Sequence, residues 1–476
     1  MNQRKISLIF LKKEWLFIFI LILLSSLFFR KSFAVYFSQD DFYRFKMGRA
    51  ESLASFFNFF LPVNQIFSGL YRPLTTNVYS FLGQQFFGYN HFLYHFLNYS
   101  IFSLNLILVY KLFKYFLKNK KKSFYALIFY SLASFHFISL SYISWSEEII
   151  VASFYFLTIL LYLKNSRFSP LVFLFALLSR ETAVTLPLIL FMIEFFEKKN
   201  FRRLLPYIFL LSVYAMMRFY FNLIPENNVY RVSFSPGLII NNYFWFFIWG
   251  LGAPENLIDF VGPGLKIDSR FFATYPGISY LILIFSLLTA ILFALIVGRS
   301  FLVKQKRGEI LFSFFWFIIT LSPFVFLLFH RFAYYLEIPF WGICAMIASS
   351  FYDNKKLRIA FLGVFLFLSF ISVEYYAKTH WSINRAKFSR QLIEKFRKEH
   401  PCLPKKASIY FLNDDEYISP SKDWGGTSAQ AKLALSGCHA FRLIYKDDSL
   451  ECYFEDDGPP PEKDFISYKV KANLDF

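Results

Sequence analysis

Runs of about 20 mostly apolar residues recur along the chain and are separated by short segments rich in Lys and Arg. An α-helix needs roughly 20 such residues to cross the hydrocarbon core of a membrane. The alternation therefore predicts an all-α membrane bundle with roughly eleven spanning helices. These helices are predicted to begin near Trp15, His91, Ser123, Ile149, Phe168, Thr182, Leu204, Pro276, Ile310, Phe332 and Leu357.

The first apolar run follows a basic N-terminal segment, and no small-residue cleavage site comes after it. We therefore expect a retained signal anchor with a cytoplasmic N-terminus. A long external loop follows, from Arg30 to about Asn90, without a long apolar run. Its segments Ser52–Phe60 and Leu74–Phe87 are amphipathic or aromatic, which predicts helices that lie along the bilayer and roof a cleft.

Basic clusters indicate the topology, because Lys and Arg concentrate in the cytoplasmic loops of membrane proteins. An even number of crossings must then separate successive clusters. The segment Phe168–Phe196 has a cluster at each end, so we predict that it reverses direction near Arg180 and Glu181. The aromatic run Asn241–Gly252 would break this parity as a span, so we expect it on or partly in the outer face. The clusters are Arg4–Lys13, Lys118–Lys122, Lys164–Arg167, Lys198–Arg203, Arg299–Arg307 and Lys355–Arg358.

The chain changes character after about Ala377, where a more polar tail begins. Arg385–Lys398 predicts a basic helix, and Ser408–Leu412 alternates like a strand. We therefore divide the chain into a membrane domain, residues 1–376, and a small extracytoplasmic α/β domain, residues 377–476. An odd number of cysteines in this tail predicts one disulfide and a free thiol. The cysteines are Cys402, Cys438 and Cys452, and the expected pair is Cys438 with Cys452.

Composition agrees with the membrane class. Hydrophobic residues make up 56% of the 476 residues, and the mean hydropathy is +0.42, which excludes a soluble protein of ordinary composition. A formal net charge of +19 would favour nucleic acid as the partner of a soluble protein. Here the positive charge lies in loops between apolar runs, as expected for the cytoplasmic loops of a membrane protein. We expect contact with membrane lipid and none with nucleic acid.

Charged residues that the topology assigns to the outer face are the candidates for chemistry. Charges near lipid are costly unless they are paired or used. Each group alone has a plain structural interpretation, as a solvated loop carboxylate, a local ion pair or a helix cap. Their convergence on one face favours an external active-site cleft. The groups are Asp40-Asp41 after the first span, Glu147-Glu148 after the third, Arg180-Glu181 at the hairpin tip and His330-Arg331 after the ninth.

Arg72 and three histidines are less specific indications of function. Arg72 lies in a turn into a helix that starts with Pro73, where it is either free to bind an anion or simply solvated. His91, His95 and His136 have aromatic neighbours in helices, where packing is the more common role. No CxxC, HExxH, P-loop or GxGxxG pattern stands in a workable context, so a dedicated zinc site is not expected.

Five short motifs lie in order over most of residues 1–376, at Asp40-Asp41, Tyr71–Leu74, Tyr142–Ile150, Leu177–Pro187 and His330–Pro339. Together they resemble motifs of the GT-C superfamily of membrane glycosyltransferases. Within it, the chain is similar to the branch that includes protein O-mannosyltransferases and the transmembrane O-mannosyltransferases with tetratricopeptide repeats. Asp40-Asp41 stands where the superfamily places its acidic dipeptide, and Tyr71-Arg72-Pro73-Leu74 is similar to the branch's YRPL motif. The tail lacks the roughly 34-residue periodicity of tetratricopeptide repeats.

Three further motifs carry the resemblance. Tyr142–Ile150 resembles the WISGRxDLL stretch, but it has Trp145 in place of glycine and Ser146 in place of arginine. Leu177–Pro187 resembles LLSKETAVTLP, with arginine for lysine. His330–Pro339 is similar to the RYLYLP segment. The two departures lead us to expect a different substrate contact in the second external loop.

The resemblance implies a GT-C-like bundle that transfers a sugar, with inversion, from a polyprenyl-phosphate-linked donor to an extracytoplasmic protein, lipid or glycan acceptor. Asp40 has the position of the family's leading acidic residue and is the expected general base. Asp41 would position the acceptor or tune Asp40 by like-charge repulsion. The donor phosphate would be held by Arg180, Arg331 and Arg72. Supporting or sugar-binding roles are assigned to Glu148, Glu181, Tyr71 and His91.

The mannosyltransferase branch generally works without a metal, so no cofactor is expected. The alternative is a cluster of Asp40, Asp41 and Glu148 that ligates Mg²⁺ or Mn²⁺. The rival function is a transporter or flippase of lipid-linked sugars, which would favour inverted repeats, and the two halves show no such similarity. We expect a multi-pass protein of the bacterial cytoplasmic membrane with an extracytoplasmic C-terminus.

Overall fold

The computed structural model describes residues 3–63, 70–197, 200–223, 230–350, 355–417, 425–460 and 462–471. Three predicted features fall partly outside these residues. They are Gly69, which precedes the Arg72 turn, Lys198 and Lys199 of one basic cluster, and the side chains of Arg4–Lys12.

The chain is predominantly helical with few strands, all of them short, as predicted. The helices before residue 200 are α1 (Gln3–Phe28), α2 (Asp40–Met47), α3 (Leu53–Phe57), α4 (Tyr79–Phe87), α5 (His91–Leu117), α6 (Lys120–Ser131), α7 (His136–Ser141), α8 (Ser146–Leu163), α9 (Ser169–Ser179) and α10 (Leu186–Glu197). The later helices are α11 (Leu205–Tyr220), α12 (Pro236–Gly250), α13 (Ser269–Thr274), α14 (Ile278–Leu302), α15 (Lys304–Val325), α16 (Phe340–Ser350), α17 (Lys355–Thr379), α18 (Trp381–Glu399), α19 (Thr427–Ala434) and α20 (His439–Tyr445). The strands are β1 (Val261–Gly262), β2 (Lys266–Ile267), β3 (Ser408–Leu412), β4 (Glu451–Phe454) and β5 (Ile466–Lys469).

Within the described residues, five helical stretches are long and apolar enough to cross a membrane, as a multi-pass membrane protein requires. On α14, large apolar side chains such as Ile284 and Leu287 remain more than half exposed, which suits contact with lipid. The five stretches are His91–Leu117, Ile143–Leu163, Ile278–Leu302, Lys304–Val325 and Lys355–Glu399, the last of which comprises α17 and α18.

Two of the predicted spans, those from Ser123 and from Phe332, are interrupted helices. α6 ends after 12 residues, and α16 begins only after a 3₁₀ turn. The two breaks meet in the interior, where His136 Nδ1 lies 2.9 Å from Glu337 Oε1. The Tyr130 hydroxyl donates to the Glu337 carbonyl at 2.6 Å. These contacts satisfy polar groups at the breaks, so His136 is a hydrogen-bonding partner as well as a packed ring.

The segment from α9 to α10 reverses direction, as predicted. At the start of α9, Ser169 donates its hydroxyl to a carbonyl near the C-terminal end of α8, at 2.8 Å. Near the end of α10, Glu194 accepts from Tyr162 at that same end of α8, at 2.5 Å. Between the two helices, Arg180 pairs with Glu147 at the opposite end of α8. The chain therefore turns back at Arg180.

The predicted Asn241–Gly252 run forms most of α12, which packs into the bundle. Asn242 donates to the Val325 carbonyl at the end of α15, at 2.8 Å. The Tyr243 hydroxyl donates to the Ile318 carbonyl, farther along α15, at 3.0 Å. Trp249 is fully buried. The aromatic run is therefore a packed part of the helix bundle.

The tail contains the predicted strand, because β3 coincides with Ser408–Leu412. Its first four residues are all buried, so the predicted alternation is wrong. The reason is that β3 is the central strand of a parallel sheet with the order β4-β3-β5. Cys438 and Cys452 form the predicted disulfide, and Cys402 is an exposed free cysteine. The predicted basic helix lies within α18.

The tail shares a hydrophobic core with the first loop. Phe42 and Phe45 of α2 belong to one buried cluster with Phe411 and Phe441 of the tail. The Gln39 N–H donates to the carbonyl that ends α19, at 2.8 Å. The predicted domain boundary after residue 376 falls inside α17. The tail therefore packs directly against the helix that begins with Asp40.

Candidate functional site

α2 begins with the two predicted acids, and its first turn gives them different surroundings. Asp41 is buried and accepts three hydrogen bonds. They come from the Ser38 N–H at 3.0 Å, the Ser144 N–H at 2.8 Å and the Ser144 hydroxyl at 2.6 Å. Burial raises the pKa of Asp41 to about 7, although these donors act in the opposite direction. Asp41 therefore ties the loop after α1 to the segment before α8.

Asp40 instead faces a cavity of about 360 Å³, which we call the Asp40 cavity. Among the described residues that line it, Asp40 is the one carboxylic acid. Its side chain is accessible from the cavity, while the surrounding walls raise its pKa above the ordinary value by removing solvent. Arg44 opposes this increase and Glu147 adds to it. The result is an accessible acid in a recess, with increased basicity.

Three arginines line the same cavity, and all three pair with one glutamate. Arg72 Nη1 lies 2.6 Å and Arg180 Nη1 lies 2.5 Å from Glu147 Oε2. Arg44 pairs with the other oxygen of Glu147. Glu147 is fully buried and is not part of the cavity lining. Three cations around one carboxylate leave positive charge directed at the cavity.

Two further glutamates orient these arginines from outside the cavity lining. Glu148 Oε1 lies 2.8 Å from Arg180 Nε. Glu181 pairs with Arg72 Nε at 2.8 Å and with Arg218 Nη1 at 2.6 Å. The network thus joins four arginines to three glutamates, an excess of one positive charge. Guanidinium groups held by paired carboxylates keep a fixed orientation, as anion recognition requires.

Aromatic side chains complete the wall of the Asp40 cavity. Trp145 stacks on Tyr334 with ring centroids 4.6 Å apart, and it meets Trp381 of the tail at 5.5 Å. This tryptophan stands where the motif that the segment resembles has glycine, and it connects the segment before α8 to the tail. His330 also lines the cavity, and burial together with Arg180 lowers its pKa to about 3. His330 is accordingly neutral at physiological pH.

Most of the predicted site residues converge, but Arg72 is neither free nor solvated. Its side chain is 7% exposed and is paired with two glutamates. The predicted helix start at Pro73 is confirmed, in a π-helical turn that leads into α4. Tyr71 does not line the cavity and donates its hydroxyl to the Phe60 carbonyl at 2.8 Å.

Two more of the predicted site residues, His91 and Arg331, do not line the Asp40 cavity. His91 packs edge-on against Tyr36 and Phe37, at centroid distances of 5.5 and 6.2 Å, as its packing interpretation predicted. Arg331 lines a neighbouring cavity instead of the Asp40 cavity, and it donates to Asn242 at 3.4 Å. The motif His330–Pro339 thus divides, because His330 and Tyr334 line the Asp40 cavity, Arg331 lines the neighbouring cavity, and Phe332 lines both.

The sequence analysis missed two members of the network, Arg44 and Arg218, and it named a third, Glu147, without giving it a role. Arg44 lies four residues after Asp40 in α2, a spacing that places both on one helix face and could have indicated the link. Glu147 was named with Glu148 as an acidic pair, but the motif that this segment resembles has its acid at Glu148, so only Glu148 was assigned to the site. Arg218 stands in the otherwise apolar helix α11, and an ionisable residue in such a helix is itself a sign of function.

The alternative metal cluster of Asp40, Asp41 and Glu148 does not form. The Asp41 oxygens accept from Ser38 and Ser144, and Glu148 pairs with Arg180. Within the described parts of the chain, no three His, Cys, Asp or Glu side chains lie close enough together to hold a metal ion.

No known protein family matches the chain, and no curated protein is significantly similar to it in sequence. The chemistry of the site must therefore be argued from its geometry. One accessible carboxylate faces three guanidinium groups that buried glutamates hold in place. Such a cavity can hold an anion at one wall and accept a proton at the other.

Proposed function

We propose that this protein is an integral membrane glycosyltransferase of the GT-C type. It transfers a sugar, with inversion, from a polyprenyl-phosphate-linked donor to an acceptor hydroxyl on the extracytoplasmic face. The observation that carries the proposal is the shared cavity of Asp40 with Arg44, Arg72 and Arg180. The motif resemblance over residues 1–376 supports the same reaction class.

Asp40 is the general base. Its carboxylate takes the proton of the acceptor hydroxyl while the acceptor oxygen bonds to the anomeric carbon of the donor sugar. The bond between that carbon and the phosphate oxygen breaks, and its electron pair leaves with the polyprenyl phosphate. Attack opposite to the leaving group inverts the anomeric centre. The raised pKa of Asp40 suits this role, because it makes the ionised carboxylate a stronger proton acceptor.

Arg44, Arg72 and Arg180 bind the donor phosphate. Negative charge on the phosphate increases as the glycosidic bond breaks, and guanidinium groups that are already oriented stabilise that charge without rearranging. Glu147, with its three arginine partners, fixes this orientation. Of the two roles predicted for Glu148, the orienting one agrees with its pairing to Arg180.

In this proposal the chain crosses the bacterial cytoplasmic membrane eleven times, with a cytoplasmic N-terminus and an extracytoplasmic tail. Two observations support it. The chain turns back at Arg180, as the parity of the basic clusters demands. Asp40, Glu147 and Arg180 all lie at the N-terminal end of α8. No metal or other cofactor takes part.

The test is turnover of a short-chain polyprenyl-phosphate sugar by the purified full-length protein. Candidate donors that differ in the sugar are supplied, and release of polyprenyl phosphate is measured. Asp40→Asn is expected to slow release at least 100-fold, the lower range for loss of a general base. Glu51→Gln removes an exposed acid of the same loop and should release product at the wild-type rate. Normal turnover by a folded Asp40→Asn protein would refute the base assignment, and no release from any donor would refute the proposed reaction.

A further inference from the structure

A second cavity, of about 440 Å³, adjoins the Asp40 cavity. We call it the tail cavity, because α18 and Gln430 of α19 form one wall and the segment Glu255–Phe260 faces them. Phe332 and Trp381 line both cavities. Arg385, which lines the tail cavity, also bonds to Gln39, the residue before Asp40. The two cavities therefore meet beside the general base.

Two buried amide oxygens in the lining of the tail cavity lack donors. Asn384 is only 8% exposed, and its Oδ1 has no hydrogen-bond partner among the described residues. The same holds, within the described chain, for Oδ1 of Asn256. Asp259 adds an accessible carboxylate to the same lining. Both asparagines line the cavity, and a ligand there that supplies hydrogen-bond donors would satisfy these acceptors once the side chains turn toward it.

The formal charges in this lining balance. Glu255 and Asp259 carry two negative charges, and Arg331 and Arg385 carry two positive charges. Glu255 is also engaged within the protein, because its Oε2 accepts from the Ala333 N–H at 2.5 Å. The lining of the Asp40 cavity, by contrast, carries three arginines against one aspartate. The tail cavity is therefore suited to an uncharged ligand.

Flat aromatic rings form most of the apolar lining, together with Ile258. The rings belong to Phe260, Tyr275, Phe329, Phe332, Trp381 and Phe388. A sugar ring matches this combination, since it has an apolar C–H face and several hydroxyl donors around its edge. A peptide backbone has one N–H donor per residue and would satisfy fewer acceptors in the same volume. The volume lies within the common range of about 300 to 1,000 Å³ for small-molecule sites.

We propose that the tail cavity binds the acceptor and that the acceptor is a carbohydrate, with the terminal sugar of a glycan in the cavity. The transfer step rests on the proposed function, whereas the binding itself does not. A hydroxyl of the bound sugar reaches past Phe332 and Trp381 and gives its proton to Asp40. Its oxygen bonds to the donor's anomeric carbon, and the electron pair of the broken bond leaves with polyprenyl phosphate.

The test is direct binding to the full-length protein in detergent, measured by calorimetry. The probes are mannotriose, cellotriose, chitotriose and an uncharged peptide rich in Ser and Thr. At least one trisaccharide is expected to bind. Asn384→Leu and Asn256→Leu should each weaken that binding at least tenfold without lowering the thermal unfolding temperature enough to unfold the sample. Gln391→Leu, an exposed amide seven residues further along α18, is the matched control and should bind like the wild type.

The outcomes separate this inference from the proposed function. Trisaccharide binding that needs Asn384 and Asn256 supports the carbohydrate site, even if no polyprenyl phosphate is released from any donor. Asp40→Asn should retain this binding. The inference would be overturned if no trisaccharide bound or if only the peptide bound. It would also be overturned if both folded asparagine variants bound a trisaccharide as tightly as the wild type. The proposed turnover of the donor could stand in each of these cases.

Discussion

Adjacent aspartates in α2 have opposite surroundings, because successive side chains on a helix point about 100° apart. Asp41 is directed at Ser144 and is fully hydrogen-bonded, whereas Asp40 is directed at the cavity. The packing of Phe42 and Phe45 against the tail determines which way the helix faces. The orientation of α2 therefore places Asp41 in a buried hydrogen-bonded position and Asp40 in the wall of the cavity.

Asp40 should give the reaction a distinctive pH dependence. The base works only when ionised, and its pKa is raised by burial above the ordinary aspartate value of about 3.9. We therefore expect kcat/KM for donor turnover to fall as the pH decreases through that raised pKa, at a higher pH than an ordinary aspartate would give. The measurement is a pH profile from 4 to 8. Arg44→Lys keeps the charge that lowers the Asp40 pKa, so its acid limb should stay in place. An acid limb at or below pH 4 in the wild type would contradict the assignment.

The charge of Glu147 should contribute strongly to the stability of the fold. Removing its charge leaves Arg44, Arg72 and Arg180 without their common buried partner, and breaking a buried ion pair costs about 3–5 kcal/mol. Glu147→Gln is therefore expected to lower the free energy of unfolding by about that amount.

The matched control for this prediction is Glu394→Gln, which removes an exposed pair with Arg390 on α18. Such a surface pair contributes about 0.3–0.5 kcal/mol. Chemical unfolding in detergent, followed by circular dichroism, compares the two variants. Equal effects of the two substitutions would show that the arginine network does not stabilise the fold.

At the scale of elements, hydropathy and charge parity predicted long helices and one reversal, while the breaks in helices were missed. The turn at Arg180 follows from basic clusters at both ends of a segment too short for two full spans. The breaks at the end of α6 and before α16 meet at a tertiary contact between His136 and Glu337. No local sequence pattern encodes such a contact. Arg331 was assigned to the wrong cavity for the same reason, since its motif does not reveal the direction of the side chain.

The disulfide links β4 to the start of α20, the helix that packs on α2. Tyr43 of α2 and His439 of α20 have ring centroids 5.9 Å apart. A cross-link over 14 residues removes chain entropy from the unfolded state worth about 3 kcal/mol. We expect Cys438→Ser with Cys452→Ser to lower the unfolding midpoint of the tail and to reduce donor turnover through α2.

Cys402→Ser is the control, because Cys402 is exposed and forms no disulfide within the described tail. Thermal unfolding and donor release are measured for both proteins under oxidising conditions. A double variant that unfolds at the wild-type temperature would mean that hydrophobic contacts alone hold α20 in place.

At the scale of the whole molecule, the tail is part of the site and not only an attachment. It supplies Trp381 to both cavities and Arg385 to their junction. The sequence predicted a separate domain from composition, because a change in polarity marks a segment without revealing what it packs against. The shared core with Phe42 and Phe45 couples the tail to α2, the helix that carries Asp40.

This coupling requires the first loop and the tail to share one side of the membrane, with the ends of the Arg180 hairpin on the other side. Arg49 pairs with Asp448 at 2.8 Å, so the neighbouring Glu51 and Asp448 lie on the same face. The test uses single cysteines in a Cys402→Ser background, at Glu51→Cys, Asp448→Cys, Arg167→Cys and Asn200→Cys, all at exposed positions.

In intact cells, a membrane-impermeant maleimide should label the cysteines at positions 51 and 448 and leave those at 167 and 200 unlabelled until the membrane is permeabilised. The physical reason is that basic clusters at both ends of the hairpin stay in the cytoplasm, while the loop that carries Asp40 is exported. The Cys402→Ser background without an added cysteine is the control, since Cys344 is buried and Cys438 is in a disulfide. Labelling of only one of positions 167 and 200 in intact cells would show that the segment from α9 to α10 crosses the membrane once. The basic clusters at its two ends would then lie on opposite sides, and the argument that places Asp40 outside would fail.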